Sequence, residues 1–186
     1  MAHADTRPDA AEAARAAWAT ISHLFMQSAG RFEGIAADLG LAHTDLGALL
    51  HLDPEATPSQ GELAESWGCD ASWVTAKVDT LEEAGLVTRV PDSRDRRRKT
   101  VVITDEGRRT QAAALARLYE PPEALTALGA DDLVTLAGVL SRVEVDEDAG
   151  PPAGRGRGRV GGPPKVVAAF ARAQHARHAA EARGAT

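Results

Sequence analysis

The chain is poor in cysteine, in aromatic residues and in long apolar runs. Cys69 is the one cysteine among 186 residues, which excludes an intramolecular disulfide framework. Aromatic residues make up 4% of the chain, and no apolar run approaches the ~20 residues that a membrane-spanning helix needs. The first residues also lack the basic start and apolar stretch of a secretory signal. With 44% hydrophobic residues to build a core, these features predict a cytoplasmic protein without a membrane partner.

Positive charge is scarce in the chain as a whole but is concentrated locally. The net charge is -6 at pH 7. Residues 1–148 contain 14 Lys and Arg against 26 Asp and Glu, whereas residues 149–186 contain seven against one. Within the acidic part, residues 89–99 contain six basic side chains against two acidic ones. Because the distribution of charge matters more than its total, the acidic average does not exclude nucleic-acid binding.

The basic segment lies between two short apolar runs. Five cations occupy the six positions from Arg94 to Lys99, and Asp95 interrupts them. The flanking runs, residues 86–88 and 100–103, are typical of paired strands. A hairpin with a cationic tip has a shape that can enter a groove of DNA, while a solvated arginine-rich loop is the alternative.

Apolar residues at helical spacing precede this hairpin. A stripe that includes Trp18 and Phe25 predicts one long helix over about residues 10–37. Thr44 is a good N-cap for a second helix, which stops before Pro54.

The next two predicted helices are joined by a tight turn. Ser59 opens the third helix with a capping box, and Gly68 ends it. A fourth helix then runs over about residues 71–84 and is stopped by Gly85. Its apolar face is formed by Val74, Val78 and Leu81. Two helices joined in this way form a helix-turn-helix, whose second helix enters the major groove of DNA.

This second helix, the predicted recognition helix, carries small and polar side chains outside its apolar face. Ser and Thr hydroxyls can bond to bases or phosphates, Lys77 can neutralise a phosphate, and Trp73 can touch a thymine methyl. An ordinary amphipathic surface helix is the alternative, but the order helix, turn, helix, glycine, basic hairpin favours DNA binding. The candidate DNA contacts on this helix are Ser72, Trp73, Thr75, Ala76, Lys77 and Thr80.

Two further helices are predicted after the hairpin, over about residues 104–120 and 130–145. The fold class is therefore mainly α with a small β-hairpin, in one domain over about residues 10–145. Residues 146–186 contain a Gly-Arg alternation and several prolines, a composition that cannot bury a core. We expect them to form a flexible basic tail that can include one alanine-rich helix.

The segment around the helix-turn-helix resembles the MarR family of regulators. The resemblance covers about residues 39–145 and is carried by Ser72-Trp73-Val74-Thr75, by Asp79-Thr80-Leu81-Glu82-Glu83-Ala84-Gly85-Leu86-Val87, by Arg89 and Asp92, by Asp95-Arg96-Arg97 and by Ile103-Thr104-Asp105-Glu106-Gly107. It implies a winged helix-turn-helix over about residues 39–103. It also implies a homodimer built from the helices at 10–37, 104–120 and 130–145, although core packing within one subunit would also explain their apolar stripes.

The function that the resemblance implies is transcription regulation, not enzymatic activity, and no cofactor is expected. Such a protein acts as a ligand-responsive repressor on double-stranded DNA, at a palindromic operator with half-sites about 10 bp apart. A winged-helix architectural or protein-interaction module without sequence specificity is the alternative function.

The resemblance assigns roles to the wing as well. Arg97 would enter the minor groove, where negative potential is concentrated, and Asp95 would orient its guanidinium. Family members often have arginine where this chain has Ala76 and Thr80, so the wing and the basic tail are expected to carry a larger share of the affinity. The remaining wing cations, expected to contact phosphates or solvent, are Arg94, Arg96, Arg98 and Lys99.

The sequence also contains residues typical of three other kinds of site. A small aromatic effector, implied by the resemblance, would bind near Trp18, His23, His51 and Arg109, for which core packing and solvated faces are the alternatives. His175 and His178 have a spacing that can share a metal, but no further ligands accompany them, so no metal site is predicted. Oxidation of Cys69 could displace the recognition helix, but no flanking cation activates the thiol.

Overall fold

The computed structural model describes residues 9–28, 30–92, 95 and 97–144. Their fold is mainly helical with one two-stranded antiparallel sheet, as the sequence predicts, and its register runs from Val87 opposite Ile103 to Pro91 opposite Lys99. The elements are α1 (Ala10–Gln27), α2 (Arg31–Asp38), α3 (His43–His51), α4 (Gln60–Trp67), α5 (Ala71–Glu83), β1 (Val87–Pro91), β2 (Lys99–Ile103), α6 (Asp105–Leu118), α7 (Glu123–Thr126) and α8 (Ala130–Leu140). None of these helices is long and apolar enough to cross a membrane.

The predicted continuous helix over residues 10–37 is wrong, because the chain forms two helices there. Helix α1 ends at Gln27, and α2 begins at Arg31. Ser28 closes α1: its amide and its hydroxyl both donate to the carbonyl of Leu24, at 3.1 and 2.9 Å. Gly30 then precedes α2. A hydroxyl that bonds to the backbone at a helix end offers an alternative to continuing the helix, which an apolar stripe does not reveal.

Three further features differ from the predictions: one N-cap, one helix end and one additional helix. Helix α3 begins at His43, near Thr44 as predicted, but its N-cap is Ala42, and the Thr44 hydroxyl accepts a hydrogen bond from the Lys77 side chain of α5 instead. Helix α8 ends at Leu140 rather than near residue 145. The short helix α7, which follows a proline pair, was not predicted at all. Helix ends depend on local capping contacts and are therefore less predictable than the helices themselves.

The buried apolar residues form two adjoining clusters. One lies among α3, α4, α5 and the hairpin, and its fully buried members include Leu49, Val74 and Leu81. The other lies among α2, α3 and α6, around Ile35 and Leu50. Because α3 contributes to both clusters, it connects the helix-turn-helix to the helices on either side of it.

Helix α6 is fixed to the hairpin and to α3 at two points. The Thr104 hydroxyl caps α6 by accepting from the Gly107 amide at 3.0 Å, and it donates to the Gly85 carbonyl at 2.7 Å. A Cβ atom on Gly107 would lie 2.1 Å from the Leu86 carbonyl oxygen, so only glycine fits there. Further along, the buried Gln111 side chain donates to two carbonyls at the end of α3, each at 2.9 Å.

In contrast, α1 and α8 contribute no buried residue to the described structure. Trp18 is 68% exposed and Phe25 is 74% exposed. Trp18 is therefore outside the core of one chain, contrary to the core alternative considered for it. The large apolar residues exposed on the two helices are Trp18, Ile21, Phe25, Met26, Val134, Val139 and Leu140.

Candidate nucleic-acid interface

The two helices of the predicted helix-turn-helix have the expected caps and burial. Ser59 and Glu62 form the capping box of α4, in which the Ser59 amide and hydroxyl each donate to the carboxylate at 2.7 Å. These bonds, first from the backbone amide and then from the hydroxyl, lower the pKa of Glu62. Gly68 ends α4 in the left-handed conformation, with φ of 63°. The predicted inner face of α5 is confirmed, since Val74, Val78 and Leu81 are all buried.

The outer face of α5 is exposed and has few hydrogen-bond donors. The hydroxyls of Thr75 and Thr80 donate to carbonyls one turn earlier in the helix, at 2.9 and 3.0 Å. Their oxygens can still accept a hydrogen bond, and Ala76 between them is exposed as well. The exposed residues of this face are Ser72, Thr75, Ala76, Asp79, Thr80 and Glu83.

Trp73 lies at the edge of this face and is half-buried. Its ring packs edge-on against Trp67 of α4, with 6.1 Å between the ring centroids. Trp73 therefore packs against the helix-turn-helix core, and only part of its side chain is available to a ligand.

Lys77, predicted as a phosphate contact, already has a partner inside the protein. Its Nζ atom lies 2.6 Å from Asp45 Oδ1 and 2.8 Å from Thr44 Oγ1, both at the start of α3. The Lys77 side chain is 17% exposed and that of Asp45 is 7% exposed. The ion pair neutralises Lys77, and it connects α5 to α3 rather than extending toward a ligand.

The hairpin is joined to α4 along one side. The Val101 amide donates to the Pro58 carbonyl at 2.8 Å, and Ser59 forms a bridge with Thr100. At the same place the Arg98 guanidinium donates to the Ser59 hydroxyl at 3.2 Å. Arg98 therefore contacts the α4 capping box, which was not predicted for a wing cation.

Asp95 organises the wing tip through backbone contacts. Its carboxylate accepts from the Arg97 amide at 3.0 Å, and its carbonyl accepts from the Arg98 amide at 2.9 Å. The observed contact of Asp95 with Arg97 thus fixes the turn rather than the guanidinium. Arg97 and Lys99 are exposed, whereas Arg94 and Arg96 lie outside the described residues.

Sequence reasoning missed the main connection between recognition helix and wing, which is Arg89 of β1. Its Nη2 atom lies 2.5 Å from Asp79 Oδ1, its Nη1 atom donates to Glu82, and its amide donates to Glu82 Oε1 at 2.8 Å. Bonding from the amide and then from the guanidinium lowers the pKa of Glu82. The motif contains Glu82 and Arg89, but the spacing alone does not indicate that they meet.

The four effector candidates lie on three different helices. His23 on α1 bonds to Gln27 at 3.1 Å, and Arg109 on α6 pairs with Glu106 at 2.6 Å. His51 at the end of α3 lies 2.8 Å from the Gly47 carbonyl and edge-on to Trp67. These contacts are local to each helix or to the core, so an effector site formed by these residues and Trp18 stays a prediction.

Metal and redox sites receive no support from the described residues. Among them, no group of three His, Cys, Asp or Glu side chains could hold a metal ion, and His175 and His178 lie outside them, as does the whole predicted tail. Burial raises the pKa of the Cys69 thiol, and the charge of Asp70 raises it further. Because oxidation proceeds through the thiolate, this environment disfavours redox sensing by Cys69.

Sequence comparison connects this geometry to a known family. Residues 41–99, from just before α3 to the start of β2, match the MarR family model. YcgE, an uncharacterised HTH-type transcriptional regulator of Bacillus subtilis (strain 168), is 41% identical over 70 residues. That segment covers 38% of this chain and 46% of YcgE, so less than half of the relative's length is matched.

Solved structures extend the likeness beyond the matched segment. The structure of YusO from Bacillus subtilis has a TM-score of 0.58 at 22% identity, covering 73% of this chain and 96% of that chain. A mutant of MepR from S. aureus, bound to an oligodeoxyribonucleotide, has a TM-score of 0.55 at 20% identity, covering 69% and 94%. These likenesses show a shared fold, and the family consists of regulators rather than enzymes. The helix-turn-helix segment of this chain, residues 41–99, is therefore similar to the MarR family of transcriptional regulators.

Proposed function

We propose that this protein regulates transcription by binding a palindromic operator in double-stranded DNA as a homodimer. The observation that carries the proposal is the junction at Arg89, where the exposed face of α5 and the wing are joined by one guanidinium. Two surfaces held in a fixed relation can meet two grooves of the same duplex at once. MepR, a protein of the same fold, has been solved with an oligodeoxyribonucleotide, which supports DNA as the partner.

The two surfaces have different chemistry, which suggests different tasks. The face of α5 offers hydroxyl oxygens and small side chains, which suit close contact with base edges and thymine methyl groups in the major groove. Ser72, Thr75, Ala76 and Thr80 are the candidates on this face. The wing supplies the exposed cations Arg97 and Lys99, and a narrow minor groove favours guanidinium. Lys77 and Trp73 then support the helix from behind.

Homodimer formation would cover the apolar surface that one chain leaves exposed. Exposed large apolar side chains on α1 and α8 form a surface of the kind found at protein interfaces. A two-fold dimer places two identical recognition helices on one side, so the operator should be a palindrome with half-sites about 10 bp apart. Such a regulator acts in the cytoplasm, as the sequence predicts.

We further propose that the protein is a repressor released by a small aromatic effector. The effector would bind between the outer helices and the DNA-binding helices, where Trp18, His23, His51 and Arg109 are the candidates. The exposure of Trp18 supports this role, because an indole that packs on no core is available to an aromatic ligand or to the partner subunit.

Selection from a pool of random duplexes tests the central proposal. The purified protein is incubated with the pool, bound duplexes are sequenced, and their protection is mapped by footprinting. We expect an enriched palindrome with two protected half-sites about one helical turn apart. Binding without enrichment would favour the architectural alternative, and no binding would favour a protein-interaction module.

A thermal-shift screen with aromatic acids tests the proposed effector.

A further inference from the structure

The junction at Arg89 combines features that point beyond structural support. Arg89 is 16% exposed, and its guanidinium contacts two carboxylates of α5 that lie nearly one helical turn apart. Gln60 of α4 lies against the same group, with 2.7 Å between its amide oxygen and Arg89 Nη2 in the orientation that satisfies both groups. One side chain on β1 therefore connects both helices of the helix-turn-helix to the wing.

We propose that Arg89 is a positioning residue for DNA specificity: it fixes the orientation of the wing relative to the recognition helix. The inference rests on the proposed function, since it concerns the same DNA-binding surface. A guanidinium is suited to this task because its donors are held in a rigid planar fork. Three anchoring groups on two helices define an orientation, whereas a single ion pair leaves rotation free.

Electrostatics gives Arg89 a second effect at the same place. Asp79 lies on the exposed outer face of α5, where a carboxylate would repel the phosphates of a bound duplex. Glu82 is also partly exposed. The positive charge of Arg89 offsets these two negative charges. This matters because Lys77, the one cation of α5, is already paired with Asp45 and does not offset them. With Arg89 in place, α5 can approach DNA with less repulsion.

Fixed geometry affects specific binding more than nonspecific binding. Nonspecific affinity comes from counterion release at phosphates and tolerates many orientations of the protein. Base readout requires the helix and the wing to be in register with their grooves at the same time. Removing Arg89 should therefore reduce the preference for the operator while leaving the salt dependence of binding nearly unchanged.

The test compares Arg89→Met and Arg89→Lys with the wild type on two duplexes. One duplex is the sequence selected by the wild type, and the other is a scrambled duplex of the same length and composition. We expect Arg89→Met to lower the ratio of the two affinities by ~10-fold or more, the scale of one mismatched base pair. Arg89→Lys keeps the positive charge but loses the planar fork, so its affinity ratio should lie between those of Arg89→Met and the wild type. This second variant keeps the test valid if Arg89→Met folds poorly. The slope of log K against log salt should change by less than about one.

Arg117→Met is the matched control, because Arg117 pairs with Asp38 at 2.5 Å between α6 and α2, outside the junction. Its affinity ratio should equal that of the wild type. If both Arg89 variants keep the wild-type ratio of the two affinities, the inference is overturned. A salt slope of log K that is smaller by about one would also overturn it, because that change would identify Arg89 as a phosphate contact. If the wild type itself prefers no duplex, the proposed function fails first, and the inference fails with it.

Discussion

The winged lobe, residues 43–103, and the outer helices α1 and α8 both carry large apolar side chains, but they use them in opposite ways. In the lobe, apolar residues such as Val74 and Leu81 are completely buried, and ion pairs connect neighbouring elements. On the outer helices, the largest apolar side chains are exposed to solvent. The lobe thus buries its large apolar side chains within one chain, whereas those of the outer helices stay exposed and would be covered only in the proposed dimer. Mutations in the two regions should therefore affect different equilibria.

The largest expected effect is on association, at the outer helices. Replacing Trp18 and Phe25 together by serine removes two large exposed apolar side chains from the proposed dimer interface. At about 2 kcal/mol for each side chain, dimerisation should weaken by about 4 kcal/mol, roughly a thousandfold. Sedimentation velocity across a dilution series measures the change.

The lobe itself provides the control for this double variant. Its unfolding at protein concentrations where the wild type is monomeric should be unchanged, because neither side chain is buried in one chain. Equal association of the variant and the wild type would mean that the outer helices are not the dimer interface.

The next largest effect is on the stability of the fold, where the start of α6 packs against the start of the hairpin. Gly107→Ala places a Cβ atom 2.1 Å from the Leu86 carbonyl oxygen and 2.7 Å from Ile103 Cγ1. Because the first of these neighbours is backbone, we expect a loss of about 3 kcal/mol in the free energy of unfolding. Urea denaturation measures it. Gly138→Ala in α8 is the control: no atom lies within 4 Å of its added Cβ, so it should stabilise slightly.

Lys77→Met should be nearly as destabilising, since it leaves the Asp45 carboxylate buried without its cation. We expect a loss of about 3 kcal/mol, the usual cost of removing one partner of a buried pair. Adding Asp45→Asn to Lys77→Met should restore part of that stability, which a double-mutant cycle by urea denaturation will show. If Lys77→Met retains wild-type stability and loses only DNA affinity, Lys77 is a phosphate contact after all.

Lys77 also illustrates how far the sequence predicts this molecule. Caps and periodicity are local, so Ser59, Gly68 and the inner face of α5 could be assigned from a few neighbouring residues. Contacts between distant segments could not: nothing in the sequence indicates that Lys77 meets Asp45. For the same reason the sequence does not reveal the contacts of Arg89, although Arg89 belongs to the motif that carries the family resemblance.

A smaller effect, on binding alone, is expected at the wing tip. Arg97→Ala should weaken operator binding by about 2 kcal/mol, because it removes the proposed minor-groove guanidinium. It should leave folding unchanged, since Arg97 is exposed and only its backbone amide contacts Asp95. Fluorescence anisotropy with the selected and scrambled duplexes measures both affinities. Lys99→Ala is the control, and it should weaken both duplexes alike; the same behaviour from Arg97→Ala would place Arg97 on a phosphate instead.

The smallest effect concerns the pH dependence of the lobe. The pKa of Glu62 is lowered in the folded protein by the Ser59 amide and hydroxyl. A lowered folded-state pKa means that the carboxylate contributes stability above its unfolded value of about 4.5, and that this contribution is lost as the pH falls through the folded value. Glu62→Gln should therefore be less stable than the wild type at pH 7, and the difference should shrink below about pH 4.5. Thermal melts across this range, with Glu65→Gln of the same helix as the control, decide the point. A difference that is independent of pH would show that the capping box acts through shape and not through charge.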